Sequence, residues 1–288
     1  MMAVGVNLKT LRSLKNNLCN KKSIVSLCFI LFCFCHLMQA PHSCAGETGL
    51  FFIAEYFNWK EFVNDHRLLK ESGPRFGIGW NYRAEFFDGH LILRPRIEMI
   101  AGRADYDGAT QSDIRVNTDT DYYDGKAEFH IGWQTRLSAA LSVEPFAGAG
   151  LRGWYRKIHG ATASDGSTHA AGYPEEWYSL YLKTGLRGDF SLNKKHRLFV
   201  ETGGKFPVYN ESKALFSKSD LGPDVTFTPG NAPSWFVEAG LQYKSFKSSI
   251  YYDGMRFSKS DIECSQGMRY YQPGTKADMY GMRIGVIF

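Results

Sequence analysis

The chain has 288 residues, with 34 Lys and Arg against 29 Asp and Glu, 44% apolar residues, 29 Gly and 10 Pro, which excludes a disordered, collagen-like or coiled-coil protein. A mean hydropathy of -0.30 beside 21 Phe, 16 Tyr and 6 Trp describes a chain that is polar on average yet rich in aromatics. Ordinary soluble cores rarely combine the two.

The first 45 residues carry Lys9, Arg12, Lys15, Lys21 and Lys22 and no acid, so the remainder balances at 29 basic against 29 acidic residues. The pI of about 8.8 therefore gives no reason to expect a nucleic-acid partner. Lys21-Lys22, a mostly apolar run over 24–38 and Ser43-Cys44-Ala45 have the form of a secretory signal cut near Ala45. The apolar run falls short of the roughly 20 residues a membrane-spanning helix needs. Residues 1–45 are thus expected to be a signal peptide and 46–288 one exported domain. Cys44 lacks the branched apolar neighbour of a lipid-attachment site. It would leave with Cys19, Cys28, Cys33 and Cys35, so Cys264 alone remains and no disulfide framework is expected.

Beyond Gly46 the hydrophobic period is two. Leu50 to Trp59 is a weak strand with Glu55 as its inward charge. Phe76, Ile78, Trp80 and Tyr82 alternate with Gly77, Gly79, Asn81 and Arg83, with Glu85 following on the same face. Leu91, Leu93, Ile97 and Met99 alternate with Arg94, Arg96 and Glu98; Ala127, Phe129, Ile131 and Trp133 alternate with Lys126, Glu128 and His130. Leu141, Val143, Ala147, Ala149 and Leu151 lie opposite Glu144, Gly148, Gly150 and Arg152, and Tyr178, Leu180, Leu182 and Leu186 opposite Lys183, Gly185, Arg187 and Asp189. Leu198 and Val200 alternate with Arg197 and Glu201, with Lys205 further along; Trp235, Val237, Ala239, Leu241 and Tyr243 alternate with Glu238 and Gly240. Ser248 to Phe257 is weak and carries Asp253. In the last segment Tyr280, Met282, Ile284, Val286 and Phe288 oppose Gly281, Arg283 and Gly285. An apolar face opposite a face of Gly and charge suits a strand between lipid and a polar interior. Ten such segments predict an all-β, ten-stranded antiparallel transmembrane barrel, with eight or twelve strands as alternatives.

Connection lengths point the same way. Short connections fall at 87–90, 135–138, 191–195 and 244–247, and long ones at 60–74, 103–122, 157–174, 208–232 and 258–276. Short inner turns and long outer loops are the rule for such barrels. Trp80, Trp133, Tyr155, Tyr178, Trp235 and Tyr243 are expected to form interfacial girdles.

With its signal, its alternation and its aromatic last residue, the chain resembles bacterial outer-membrane β-barrels. That resemblance implies the cell outer membrane as location, outer-membrane lipid and lipopolysaccharide as surroundings, and recognition of the strand Tyr280 to Phe288 by the barrel-assembly machinery. In that family Gly often stands five residues before the terminal aromatic, where this chain has Arg283. The inward charges are nearly balanced in sign, and unpaired ions in a narrow interior cost several kcal/mol. A cross-strand network that constricts the lumen is therefore expected; a narrow small-solute channel is the alternative, and a wide porin is disfavoured. His130 reads as a structural imidazole rather than a proton shuttle.

In size and architecture the chain also resembles the omptin proteases, which set paired aspartates against an Asp-His pair at the outer rim. Asp119-Thr120-Asp121 could stand for the first pair, but 208–232 and 258–276 contain no histidine, and His66, His159 and His169 have no acid two positions away. A lipase reading would rest on Ser164 and Ser167 between His159 and His169, without a supporting motif. The acidic stretch Asp105, Asp107, Asp113, Asp119, Asp121 and Asp124 lacks calcium-loop spacing. The expectation is a non-enzymatic barrel with exposed binding loops and no cofactor or metal. Its oligomeric state is left open.

Overall fold

The computed structural model describes residues 46–109, 114–265 and 267–288. The expected signal peptide lies outside the described residues. Ten long strands form the barrel: β1 Gly46–Val63, β2 His66–Phe86, β3 Leu91–Ala109, β4 Arg115–Trp133, β5 Leu141–Ile158, β6 Pro174–Ser191, β7 His196–Ala214, β8 Ser234–Tyr243, β9 Phe246–Ser258 and β10 Gly274–Ile287. Each pairs antiparallel with its sequence neighbours. β10 closes on β1, from Gly49 opposite Ile287 to Phe62 opposite Gly274. Closure leaves no unpaired edge, which a lipid-exposed sheet requires.

The short turns lie at the inner end and are tight. In the four-residue connection 87–90, Phe87, Asp88 and Gly89 all have positive φ, and the His90 N–H donates to the Phe87 carbonyl at 3.1 Å, with Asp88-Gly89 at the centre of the turn. The outer end departs from the expected loop lengths. Between β1 and β2 there are just two residues, Asn64 and Asp65, both at positive φ, where 60–74 was expected to loop. β3 and β4 likewise run through most of 103–122, and β5, β7 and β9 reach Ile158, Ala214 and Ser258. The remaining outer connections carry small elements: a hairpin of Ala161–Thr162 with His169–Ala170, a 3-10 turn Phe216–Ser219, Val225–Phe227 added to β7, Gly230–Ala232 added to β9, and a hairpin of Glu263–Ser265 with Met268–Tyr270. Cys264, in that last hairpin, is a free exposed thiol.

Two aromatic belts mark the lipid-facing zone. Trp80, Tyr82, Trp133 and Tyr243 lie near the inner turns, with His90 stacked on Trp133 and His196 against Tyr243. Tyr56, Tyr123, Tyr155, Tyr178, Trp235 and Tyr280 form the outer belt. Tyr123 and Trp133 are ten residues apart on β4, about 34 Å along a strand and about 25 Å across a barrel wall tilted as usual, which matches the apolar band of such proteins.

Candidate functional site

Every lumen residue named from the sequence points into the barrel. Arg197 and Glu85 are at the inner mouth, where Arg197 lies 3.8 Å from Glu47 and Arg83 binds Glu85 at 2.9 Å and Glu144 at 3.1 Å. One level up, Arg187 forms a two-pronged pair with Asp189, both contacts 2.8 Å, and Arg94 bridges Glu144 and Glu201. Arg96 and Arg283 share Glu238 at 2.9 and 3.2 Å; Arg283 and Lys126 share Glu98 at 2.9 and 2.7 Å. Lys183 binds Glu128 at 3.0 Å, while Asp253 collects Lys205, Lys126 and Arg152. Glu55 is held by Arg75 and by the Tyr251 hydroxyl at 2.6 Å. The guanidinium of Arg283 also packs on the Tyr251 ring, 3.7 Å away.

Glycine makes room for this network. A Cβ on Gly281 would come within 2.6 Å of the Tyr251 ring, and one on Gly150 within 2.4 Å of Tyr181. Both tyrosines reach across the lumen, Tyr181 donating to Glu128 at 2.8 Å. His130 packs on Phe146 with its Nε2 3.6 Å from Glu128, beyond hydrogen-bond distance, so the imidazole is wedged rather than bonded there.

Above the ion pairs the lumen changes character. Phe57, Trp59, Tyr122, Trp154, Trp177, Phe257, Met255 and Met279 fill it with an apolar slab. Trp59 meets Trp177 edge-on at 5.0 Å and Trp154 stacks flat on Trp177 at 5.5 Å. On this slab rests a second charged cluster. Arg156 lies 3.1 Å from Glu175, 3.2 Å from Glu61 and 3.8 Å from Glu71. The indole N–H of Trp59 donates to Glu61 and that of Trp177 to Glu175, both at 2.9 Å; Thr120 and Tyr122 donate to Glu71. Three buried carboxylates share one guanidinium, and burial raises the pKa of Glu61 and of Glu71 above the usual carboxylate value, Arg156 opposing it.

Through Glu61, Arg156 and Glu175 this cluster floors an outer cup of about 410 Å³ whose walls include Tyr106, Tyr173, Phe216, Phe227, Tyr270 and Tyr271; Glu71 is buried beneath it. The cluster was not singled out in the sequence because Glu61 and Glu71 fall within 60–74. The available signal was the repeated tryptophan two residues from a charge: Trp59 and Glu61, Trp154 and Arg156, Glu175 and Trp177. A second vestibule, about 530 Å³, opens at the inner end between Arg83, Arg136, Asp189 and Arg197. Between the two lie cavities of about 30, 20 and 10 Å³.

The hydrolase candidates are dispersed. Asp119 and Asp121 alternate with buried Thr120 and Tyr122 and so face away from the lumen. A His-Asp contact does form, His159 to Asp121 at 2.7 Å, across neighbouring strands and out of reach of sequence spacing. Asp121 is also bound by Arg103 at 2.8 Å. Ser167 donates to Asp165, which also accepts from the backbone N–H groups of Ser167 and Thr168, a local turn lock. The acidic stretch splits: Asp124 points inward onto Arg152 and Arg75, Asp105 and Asp107 lie on β3, and Asp113 is outside the described residues.

No family model matches the chain, and no curated protein does. Among solved structures it is similar to the outer membrane protease OmpT of Escherichia coli, at 12% identity and TM-score 0.54 over 86% of this chain and 98% of that one. More distant are the toluene transporter TodX of Pseudomonas putida (8% identity, TM-score 0.37, 87% and 90% covered) and Ail, the attachment invasion locus protein of Yersinia pestis (12%, 0.30, 84% and 99%). At 12% identity the likeness to the protease is one of fold: this chain has the fold of an outer-membrane β-barrel.

Proposed function

We propose that the protein is a non-enzymatic barrel of the bacterial outer membrane, exported with loss of residues 1–45, sealed against solute flow by its own lumen, and able to capture in its outer cup a ligand bearing a cationic group. The observation that carries the seal is the pinch between the two vestibules. The cavities described there, about 30, 20 and 10 Å³, are on the scale of isolated waters, each needing about 10 to 15 Å³. The ligand class follows from the cup: Glu61 and Glu175 line its floor against the single guanidinium of Arg156, with Glu71 buried beneath, and its walls are aromatic faces that favour cations. Against hydrolysis stands the outward orientation of Asp119 and Asp121: the His159 that lines the cup pairs with Asp121 at 2.7 Å, and that carboxylate is also held by Arg103 at 2.8 Å rather than set against a second aspartate pair. The two belts and the likeness of fold support residence in the outer membrane, and the outward Tyr280, Met282, Ile284, Val286 and Phe288 are available to the assembly machinery. Planar-bilayer recording of the refolded protein is the test: a silent membrane is expected, and steady discrete openings would overturn the sealed lumen.

A further inference from the structure

The inner end of the lumen holds a positive charge that the ion-pair network leaves unanswered. Arg197 on β7, Gln242 on β8, Lys247 on β9 and Gly285 on β10 stand in one register row, and the alternation of their strands turns all four toward the lumen. Lys247 therefore has an amide on one side and no side chain on the other. Its ammonium lies 4.6 Å from the centre of the Phe199 ring. Among the described residues no carboxylate comes within 4.0 Å of that ammonium, and Arg197 reaches Glu47 alone, at 3.8 Å. Two cations against one carboxylate leave one net positive charge, and an ion without a partner in a narrow interior is costly.

That charge borders a cavity. Arg83, Arg94, Arg96, Arg187, Arg197 and Lys247 all line the space of about 30 Å³ at the inner end of the pinch, with Glu47 as the single carboxylate among its walls. Four of the six are answered from behind: Arg83 by Glu144, Arg94 by Glu201, Arg96 by Glu238 and Arg187 by Asp189. Even so, the buried Nε–H of Arg94 has no hydrogen-bond partner among the described residues. Arg83 and Arg197 also belong to the wall of the inner vestibule, so the two spaces adjoin. At about 530 Å³ the vestibule is of the size that holds a small molecule, and Gln134, Arg136, Ser138, Ser142 and Ser191 make its wall polar.

We infer that the inner vestibule is a binding site for a small polar carboxylate presented from the periplasmic side. The acid's oxygens enter the throat and accept from Lys247 and Arg197, with the Arg94 Nε–H as a third donor; charge-assisted contacts of this kind are the strong ones. The body of the ligand fills the vestibule below. Charge decides for carboxylate over phosphate: one negative charge completes the row, whereas a dianion would set its second charge against Glu47 and Glu238, which already border the throat. The same chemistry comes from two sources, a free acid of the periplasm and the acidic stem peptide of the cell wall. The inference is independent of what the cup binds.

Calorimetric titration of the protein refolded in a neutral detergent tests it, with gluconate as the free acid, the tripeptide L-Ala-γ-D-Glu-meso-diaminopimelate as the wall fragment, the amides of both, and inorganic phosphate. The wild type should bind one equivalent of acid and neither amide. Tighter binding of the tripeptide assigns the site to the cell wall, equal or tighter binding of gluconate assigns it to a free acid, and either sustains the site. Lys247→Gln and Arg197→Gln should each weaken binding about tenfold, the loss of one hydrogen bond to a charged group. Lys194→Gln/Lys195→Gln, which removes exposed cations at the same end, should bind as wild type. No binding of either acid, equal affinity for an amide, undiminished affinity in both Gln variants, or tighter binding of phosphate would each overturn the site. Should those variants not fold, Gln242→Glu replaces them: it builds a carboxylate into the row between the two cations and should abolish acid binding, and unchanged affinity in it would overturn the site.

Discussion

Arg283 stands where related barrels often have glycine, and the lumen gives the reason. Its side chain serves Glu98, Glu238 and the face of Tyr251 at once. Removing one partner from a buried ion cluster costs about 3 to 5 kcal/mol, because the others are left charged and unpaired. Arg283→Gly should therefore lower the unfolding free energy in detergent by about that amount, read by urea denaturation of the refolded protein; a loss under about 1 kcal/mol would contradict the network. The cup makes a second residue-scale prediction. Burial raises the pKa of Glu61 and Glu71, so the folded protein holds their protons more tightly than the unfolded chain does. Their contribution to stability is complete below the ordinary glutamate value of about 4.3 and is lost as pH rises through the raised folded value. A cation that replaces those protons binds better over the same rise. Titration with arginine amide, followed by tryptophan emission since Trp59 and Trp177 bond to Glu61 and Glu175, should show affinity growing with pH from about 4 upward. In Glu61→Gln/Glu71→Gln that pH dependence should vanish.

The strands show what alternation can and cannot reveal. Between the belts, outward apolar and inward charged residues repeat with period two, so Arg94, Glu128, Lys183 and Glu238 could be assigned to the lumen from their positions alone. Above Tyr56 and Tyr123 the pattern inverts. Trp59, Tyr122, Trp154 and Trp177 turn inward while Lys60, Asp121, Lys157 and Glu176 turn out, because the outer surface meets water and the inside must bury apolar area. Polar residues that face solvent on a strand look like loop residues in sequence, and so the outer thirds of β1 to β4 read as connections. The site suffered from the same inversion: Glu61 and Glu71 are inward charges in a stretch whose strand character is hidden. The Asn64-Asp65 turn tests the extended register. Both residues hold positive φ, which β-branched side chains resist at about 1 to 2 kcal/mol per residue. Asn64→Val should destabilise by about that amount whereas Asn64→Gly should be near neutral, measured by thermal unfolding of the refolded barrel; equal effects would mean that the turn is not as described.

At the scale of the molecule the lumen has two seals in series, the ion-pair network and the slab of indoles above it. Arg94→Ala/Glu201→Ala removes a charge pair together, leaving neither member alone, and should still give a silent bilayer because Trp59, Trp154 and Trp177 remain. Adding Trp59→Ala and Trp177→Ala should produce openings that prefer cations, since ions would pass the carboxylates of Glu61, Glu71 and Glu175. Openings from the first variant alone would show that the slab does not seal.

From Tyr56 the first strand climbs seven further residues to Val63, which on a tilted wall is about 18 Å. The cup's mouth is thereby carried clear of the headgroups, like the collar of a well raised above flooded ground. A dissolved molecule can enter without touching lipid, so the sugar chains on neighbouring glycolipids, rather than the thickness of the membrane, govern its approach. Cells with truncated surface glycans should admit bulkier guests than cells bearing long ones.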